Sequence, residues 1–338
     1  MPIKEIHYTI CPVGNASFIA AKKNYLQNGL GKLGVTPVLL QTLEPEIIKT
    51  HFTYQNDILF REGGNIPPMW AKSNDAEVAL IGLAVLAQKQ YILVRADSDI
   101  DTVEQLRKRK IGIPVHPNAV IDFHKASAEH GFQIALSARG VSEKEVEVVA
   151  LHDDGDFVPR AGWGKNRNRV LEVEALDSGK VDAIFIKLTH SHVLLDTGKY
   201  KVIFEIHAKP DLLAPINNEQ PNALTVSRRL AEEHPEVVVE YIKQVILAAQ
   251  WAKTNYAEVL NLFAEQTFGT PGQVASAYLP GFHKVLTPNL SEESLTLLEG
   301  QKRFLFDRGY LKKDFPLEKW ADDRFLKAAL AEINADTK

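Results

Sequence analysis

The feature that most constrains the fold is a repeated alternation of short apolar segments of strand character with longer segments of helical character. Every second residue from Ile6 to Ile10 is apolar, which predicts a half-buried strand over residues 3–10. A loop with proline and glycine follows, and Asn15 has the side chain and the position to cap a helix that ends near Asn28. Strands separated by helices are typical of α/β proteins with a largely parallel sheet.

The same alternation continues along the chain. Further strands are predicted at Val35–Leu43, Val78–Leu83, Tyr91–Val94, Lys110–Val115, Val146–Leu151 and Gly179–Phe185. Short helices are predicted at Asp101–Lys108 and Val170–Asp177. From Ser227 onward the pattern becomes mainly helical, and Glu236–Lys253 carries a long apolar face. We therefore predict the α/β class for the whole chain.

Composition excludes several classes of protein. The 39 basic and 43 acidic residues give a net charge of −4, which is too mild an imbalance to suggest a nucleic-acid partner. The one cysteine excludes an intramolecular disulfide and a cysteine-rich zinc site. The longest apolar stretches, such as Val78–Ala87, are too short to span a bilayer, and the first residues do not form a secretory leader. We expect a soluble cytoplasmic protein with no membrane partner.

The order of elements resembles that of type II periplasmic solute-binding proteins, in the branch that binds sulfonates and thiamine precursors. The similar segments are Leu106–Ile113, Ala175–Ile184 and Ser227–Leu260. The resemblance implies two α/β lobes with a ligand cleft between them and a chain that crosses between the lobes twice. Lobe I would comprise residues 1–95 and 205–338, and lobe II residues 96–204.

Two motifs resemble known binding motifs in sequence but have simpler structural explanations. Gly29-x-Gly31-x-x-Gly34 matches the dinucleotide fingerprint, but a helix precedes it and a strand follows it, which is the reverse of what pyrophosphate binding needs. These glycines are better explained as the end of a helix and a turn. His190-x-His192 has no nearby carboxylate or cysteine to complete a metal site. We predict neither a metal nor a cofactor.

Cys11 is a candidate catalytic residue because of its position. It follows the first strand and precedes the helix near Asn15, and open α/β sheets bind ligands at the carboxyl ends of their strands. The N–H groups at a helix start stabilise negative charge and can lower a thiol pKa. A lone cysteine is also commonly a small buried apolar residue, so position alone leaves both interpretations open.

The segment from Thr50 to Pro68 supplies complementary groups. Gly63 and Gly64 closely precede Ile66-Pro67-Pro68, a helix-start signal, and successive glycine N–H groups can form an anion-binding concavity. Arg61 adds a permanent planar cation that suits an anion with two oxygens. His51 can exchange protons near neutral pH. A solvent-facing arginine and a capping histidine are the alternative explanation.

Cys11–Ala16, together with His51–Tyr54, Arg61, Gly63-Gly64 and Ile66–Pro68, closely resembles the aryl sulfinate desulfinases, the family of 2′-hydroxybiphenyl-2-sulfinate desulfinase. The resemblance extends to the C-terminal part, for example Leu317–Ala321. It implies a cofactor-free hydrolase that uses a cysteine to cleave the C–S bond of an aryl sulfinate such as 2-(2-hydroxyphenyl)benzenesulfinate and releases sulfite.

The resemblance also implies roles for individual residues. Cys11 would attack sulfur or protonate the ring carbon, and His51 would orient it or exchange protons with it. Arg61 and the Gly64 N–H would hold the sulfinate oxygens, and Gly63 is a further candidate substrate contact. Asn15 and Trp70 are added as candidate substrate contacts.

The sequence departs from the family in the segment between Ile113 and Val146, which has no tryptophan for an aromatic wall. Trp70 or Trp163 would have to substitute, and each is otherwise an ordinary core residue. A binding protein for a sulfonate or heteroaromatic anion, serving an ABC transporter, is the alternative function because a fold does not fix a function. A pyrimidine-precursor synthase on the same fold would need a cysteine cluster that this chain lacks. The expected ligand is a small anionic aromatic sulfur compound.

Overall fold

The predicted alternation of strands and helices is confirmed in a computed structural model, which describes residues 2–155, 170–206 and 217–336. The strands are β1 (Glu5–Ile10), β2 (Thr36–Leu39), β3 (Leu59–Gly63), β4 (Val78–Ala84), β5 (Gln90–Arg95), β6 (Lys110–Val115), β7 (Glu147–His152), β8 (Ala183–Lys187), β9 (Tyr200–Ile206) and β10 (Asn222–Ser227). The helices are α1 (Ala16–Lys22), α2 (Tyr25–Lys32), α3 (Pro45–Ile48), α4 (Thr50–Thr53), α5 (Ile66–Ser73), α6 (Phe123–Ala138), α7 (Val170–Asp177), α8 (Leu188–Leu195), α9 (Arg228–Glu233), α10 (Pro235–Ala252), α11 (Tyr256–Thr267), α12 (Pro271–Ala277), α13 (Glu292–Asp307), α14 (Leu317–Trp320) and α15 (Arg324–Asp336).

The strands form two five-stranded sheets, with the orders β2-β1-β3-β10-β4 and β7-β6-β8-β5-β9. In the first sheet β10 runs antiparallel to both of its neighbours, and in the second sheet β5 does the same. The remaining strands of each sheet share one direction. Each reversed strand is the first one that the chain forms after it passes from one sheet to the other, so the sheets are mixed and not wholly parallel.

The sheet membership bears on the predicted lobes. The sequence assigned residues 1–95 to lobe I, whereas β5 pairs with β8 and β9 in the second sheet. We propose that the first crossing lies between β4 and β5, and that the second lies between β9 and β10. Lobe II would then contain the whole of the second sheet.

The largest core covers the helix side of the first sheet. The long helix α10 places Tyr241, Ile242 and Val245 against this sheet and the neighbouring helices, and all three are almost fully buried. Tyr241 stacks on Phe60 of β3 with ring centroids 3.9 Å apart. Burial of apolar surface contributes about 25 cal/mol per Å², so this packing stabilises β3 against α10.

Several local predictions need correction. The single helix expected from Asn15 to Asn28 is two helices, because Asn24 adopts a left-handed conformation with φ of 60° between α1 and α2. The helix predicted at Asp101–Lys108 is a 3₁₀ turn, Val103–Leu106. Strands β3, β9 and β10 and helix α6 were not predicted from the sequence.

Two of the three glycines of the fingerprint-like motif, Gly29 and Gly34, have structural roles. Gly34 has φ of 72° just after the end of α2, as expected for a glycine that ends a helix. Gly29 lies inside α2, where a Cβ would come within 2.5 Å of the Gln244 side chain on α10. Close packing between two helices therefore explains Gly29, and the prediction that this motif does not bind a dinucleotide remains in place.

Candidate active site

The loop between β1 and α1 fixes the position of Cys11. The Asn15 side chain accepts a hydrogen bond from the Phe18 N–H at 2.8 Å, and it donates one to the Val13 carbonyl at 2.9 Å. The carbonyl of Cys11 accepts a hydrogen bond from Gln266 on α11 at 2.9 Å. The thiol is therefore held at the carboxyl end of β1 and is only 4% exposed.

His51 lies beside the thiol. It belongs to the short helix α4, is 1% exposed, and places its Nε2 3.7 Å from the Cys11 Sγ. Burial and the nearby positive charge of Arg61 hold the pKa of His51 well below its ordinary value of 6.5. The imidazole is therefore neutral at physiological pH, with one ring nitrogen directed at the sulfur.

Arg61 on β3 brings a buried cation to the same place. Its Nη1 donates a hydrogen bond to the Gly64 carbonyl at 2.9 Å, and its Nε is buried without a hydrogen-bond partner. An unpaired donor on a buried guanidinium is costly unless a ligand satisfies it. The arrangement can therefore hold an anion beside the thiol.

The thiol experiences opposing influences on its pKa. Burial raises it, while the positive charge of Arg61 and the Gly64 N–H lower it, and the net effect is a pKa above the ordinary value of 9.0. The sequence suggested the opposite direction, on the basis of the helix start that follows Cys11. Desolvation outweighs the nearby donors, so Cys11 retains its proton at neutral pH.

The glycine pair leaves room for groups that lie close to the backbone. Neither Gly63 nor Gly64 has a positive φ. A Cβ on Gly63 would lie 2.3 Å from the Cys11 Sγ, and a Cβ on Gly64 would lie within 2.6 Å of the Asn218 amide. Glycine is required here because sulfur and amide groups approach the backbone closely.

A cleft with an empty volume of about 730 Å³, part of it open to solvent, connects these groups. Its apolar lining includes Phe52 on α4, Phe123 on α6 and Leu188 on α8. The two phenylalanine rings have centroids 6.0 Å apart. The cleft therefore combines residues that follow the first sheet with residues that belong to helices beside the second.

The structure brings together four of the predicted site residues and leaves others aside. Cys11, His51, Arg61 and Gly64 line the cleft. Gly63 does not line the cleft but lies next to the Cys11 side chain. Asn15 and Trp70 are not among the cleft-lining residues: Asn15 caps α1, and Trp70 packs between two apolar clusters. Trp163 lies outside the described residues. Phe52 and Phe123 supply the aromatic surface for which the sequence offered only tryptophans.

A buried ion pair in the cleft was missed at the sequence level. The Lys187 ammonium, at the end of β8, pairs with Glu219 in the segment that returns to the first sheet, and both side chains are at most 6% exposed. Lys187 also donates to the Ser127 hydroxyl on α6 at 3.2 Å. Both members of the pair line the cleft. A single sequence carries no signal that joins two charges 32 residues apart.

Within residues 2–155, 170–206 and 217–336, no group of three or more His, Cys, Asp or Glu side chains is placed to hold a metal ion. In the same ranges, no helix combines the length and the apolar character needed to cross a membrane.

The two mixed sheets and the cleft define an α/β fold of the sulfonate-binding-protein type. The sulfonate-binding protein SsuA of Methylobacillus flagellatus aligns with a TM-score of 0.70 and 16% identity, over 98% of this chain and 96% of its own. The desulfurization enzyme DszB, in a cysteine-to-serine mutant with biphenyl-2-sulfinic acid, aligns with a TM-score of 0.80 and 23% identity, over 98% and 100% of the two chains. The predicted fold is confirmed.

The sequence comparison gives a more specific result. Curated proteins named 2′-hydroxybiphenyl-2-sulfinate desulfinase, from Rhodococcus erythropolis and Rhodococcus qingshengii, are each 26% identical to this chain over 352 aligned positions. The alignments cover 96% of this chain and 93% of each relative. The predicted resemblance to aryl sulfinate desulfinases is thereby confirmed. No protein-family model matches the chain.

Proposed function

We propose that this protein is a desulfinase, a hydrolase that cleaves the C–S bond of an aryl sulfinate and releases sulfite. The observation that carries the proposal is the grouping of Cys11, His51, Arg61 and Gly64 in one cleft with an aromatic lining. Its further support is the similarity to curated desulfinases over nearly the full length of both chains. The proposed reaction needs no cofactor, because water and the side chains of the cleft can supply every atom that is transferred.

Each cleft residue has a role in the proposal. Arg61 and the Gly64 N–H hold the sulfinate oxygens, since preorganised donors stabilise the charge that develops on a departing sulfur group. Phe52 and Phe123 contact the aromatic rings. His51 contacts the Cys11 sulfur, with its Nε2 3.7 Å away, and it orients the thiol or exchanges a proton with it.

Cys11 supplies the proton that replaces sulfur on the ring. In one route the thiol proton goes to the ring carbon while the Cys11 sulfur attacks the sulfinate sulfur, which gives the arene and an enzyme-bound S–SO₂⁻ group that water hydrolyses to thiol and bisulfite. In the other route the thiol only protonates the carbon, sulfur dioxide departs, and water converts it to bisulfite and returns a proton to the thiolate. Both routes consume one sulfinate and one water and yield one arene and one bisulfite.

The test is to incubate the protein with biphenyl-2-sulfinic acid, 2-(2-hydroxyphenyl)benzenesulfinate and simpler aryl sulfinates, and to measure sulfite and arene together. We expect equal amounts of both products, and in D₂O one deuterium at the former C–S carbon. Cys11→Ser should fold, as judged by circular dichroism and melting, and should release no sulfite. A folded Cys11→Ser variant that matches the parent rate would contradict the role of the thiol.

The alternative is a binding protein for a sulfonate or heteroaromatic anion, which the likeness to a sulfonate-binding protein favours. Tight binding of sulfinates and sulfonates without any product would support it. Isothermal titration with the same panel therefore separates the two functions in the same set of samples.

A further inference from the structure

Behind His51, on the side away from Cys11, two more polar side chains form a buried chain of hydrogen bonds. The His51 Nδ1 lies 2.6 Å from the Thr9 hydroxyl, and the Gln41 amide donates to that hydroxyl at 2.8 Å. Gln41 lies in the 3₁₀ turn Leu40–Thr42, and neither Thr9 nor Gln41 is more than 9% exposed. The chain therefore runs from Gln41 through Thr9 and His51 to the sulfur of Cys11.

The geometry of β1 explains why the His51 ring contacts both Thr9 and Cys11. Thr9 and Cys11 are two positions apart, so in an extended chain their side chains leave the same face. The imidazole of His51 lies against that face, with Nδ1 at Thr9 and Nε2 at Cys11. The orientation of the ring is thus determined at both of its nitrogen atoms.

The orientation of the Gln41 amide is fixed by the backbone. Its nitrogen lies 2.8 Å from the Ile10 carbonyl, which can only accept, and its oxygen lies 3.5 Å from the Ile10 N–H, which can only donate. The remaining amide proton is directed at the Thr9 oxygen. Thr9 is therefore an acceptor toward Gln41.

The donor and acceptor count then assigns the proton on His51. A hydroxyl has one proton and two lone pairs, and in the described part of the chain Thr9 has two side-chain partners, Gln41 and His51. If Thr9 also accepted from Nδ1, its own buried proton would have no acceptor, at a cost of about 1–3 kcal/mol. A hydroxyl that donates to Nδ1 satisfies every group, and a neutral ring then carries its proton on Nε2.

We propose that Thr9 and Gln41 are positioning residues that hold His51 in the tautomer with the proton on Nε2, so that His51 presents an N–H to the sulfur of Cys11. The neutral state that this assignment requires agrees with the depressed pKa of the buried ring. In this state His51 is a donor to the sulfur and stabilises negative charge there as the thiol gives up its proton. The effect on turnover rests on the proposed function, whereas the tautomer does not.

The first experiment reads the tautomer directly. Long-range ¹H–¹⁵N correlation spectra of protein with ¹⁵N-labelled histidine distinguish protonated from unprotonated ring nitrogens, and His51→Gln identifies the His51 signals among the 11 histidines. We expect an unprotonated Nδ1 and a protonated Nε2 in the parent protein. A parent spectrum with a protonated Nδ1 overturns the proposal.

Variants of Thr9 test whether the chain of hydrogen bonds causes the tautomer. Thr9→Val keeps the shape and removes the hydroxyl, so protonated Nδ1 should appear, while Thr9→Ser keeps the hydroxyl and should retain the parent spectrum. Thr287→Val is the matched control, because the Thr287 hydroxyl is buried without a hydrogen-bond partner. An unchanged His51 tautomer in folded Thr9→Val overturns the proposal.

Turnover of aryl sulfinate gives an independent reading. Thr9→Val should lower kcat roughly tenfold or more and leave KM within about twofold, since no substrate contact is removed, and Thr9→Ser should restore kcat. A higher KM with unchanged kcat would show a role in binding and would overturn the positioning role. If the parent itself releases no sulfite, the proposed function fails and the NMR result alone decides the proposal.

Discussion

At the scale of single residues, the close packing around Cys11 determines which side chains the site accepts. The thiol is protonated because burial dominates its pKa, and both proposed routes begin with that proton. The sulfur also occupies the space that any side chain at position 63 would need. Substitutions next to the thiol should therefore change both folding and chemistry.

Gly63→Ala is expected to destabilise the protein by about 1–3 kcal/mol, because the new methyl group would lie 2.3 Å from the Cys11 sulfur. Gly31→Ala is the matched control, since nothing lies within 4 Å of a Cβ at this helical position. Alanine is the better helix former, so the control should gain about 0.5–1 kcal/mol. Urea unfolding measures the change in the free energy of unfolding of each variant. Equal changes in Gly63→Ala and Gly31→Ala would refute the steric explanation.

Glu62 should make stability depend on pH. It is buried beneath α1, accepts a hydrogen bond from the Ser17 N–H at 2.7 Å, and burial raises its pKa above the ordinary 4.5. A raised folded-state pKa means that the folded protein binds more protons than the unfolded chain. The stabilising contribution is therefore fully present below pH 4.5 and is lost as the pH rises through the raised value.

Glu62→Gln keeps an acceptor for Ser17 and removes the charge. The free energy of unfolding of the variant, relative to the parent, should therefore rise between pH 4 and pH 8, by an amount of order 1 kcal/mol. Glu318→Gln, at an exposed position, is the control. A variant whose advantage shrinks as the pH rises would contradict the assigned direction.

At the scale of secondary-structure elements, β3 shows why sequence patterns predicted only part of this fold. All five residues of β3 are buried, yet it contains Arg61 and Glu62, which in a single sequence suggest an exposed loop. Burial of Glu62 depends on a tertiary partner, the Ser17 N–H of α1, which is 45 residues away, whereas Arg61 donates to the nearby Gly64 carbonyl. Strand β6, which has no such residues in its interior, was predicted with its observed bounds.

The start of α1 offers a prediction that separates two roles of Asn15. As a cap it should contribute about 1 kcal/mol, so Asn15→Ala should lose at least that amount, because the amide also donates to the Val13 carbonyl. Ser291→Ala, at the cap of α13, is the comparison. Denaturant unfolding measures the loss. A raised KM for sulfinate without loss of stability would instead support the substrate contact predicted from the sequence.

At the scale of the whole molecule, residues 217–219, just before β10, link β5 and β8 of the second sheet to α5, which follows β3 of the first. Asn217 donates to Gln90 on β5 at 3.0 Å, and Asn218 accepts from the Ile66 N–H of α5 at 3.0 Å. Next to them, Glu219 pairs with Lys187 at the end of β8. None of these contacts could be predicted from the sequence, because each joins residues that are distant along the chain and are brought together only by the complete fold.

The Lys187–Glu219 pair leads to a prediction about coupling across the cleft. Removing one partner of a buried ion pair costs about 3–5 kcal/mol, so Lys187→Met should be strongly destabilising, because Glu219 would keep only its hydrogen bond from Asn218. Adding Glu219→Gln removes the stranded charge. The double variant should therefore be more stable than the sum of the two single effects predicts, by about 1–3 kcal/mol.

The exposed pair Lys49–Glu46, with an N–O distance of 2.8 Å, provides the comparison cycle, and its coupling should be about 1 kcal/mol or less because solvent screens it. Chemical denaturation of the four proteins in each cycle gives both coupling energies. Equal coupling in the two cycles would mean that solvent reaches Lys187 and Glu219 as freely as it reaches the surface pair. In that case the ion pair would not hold the returning segment against β8, and the polar contacts of Asn217 and Asn218 would have to do so without it.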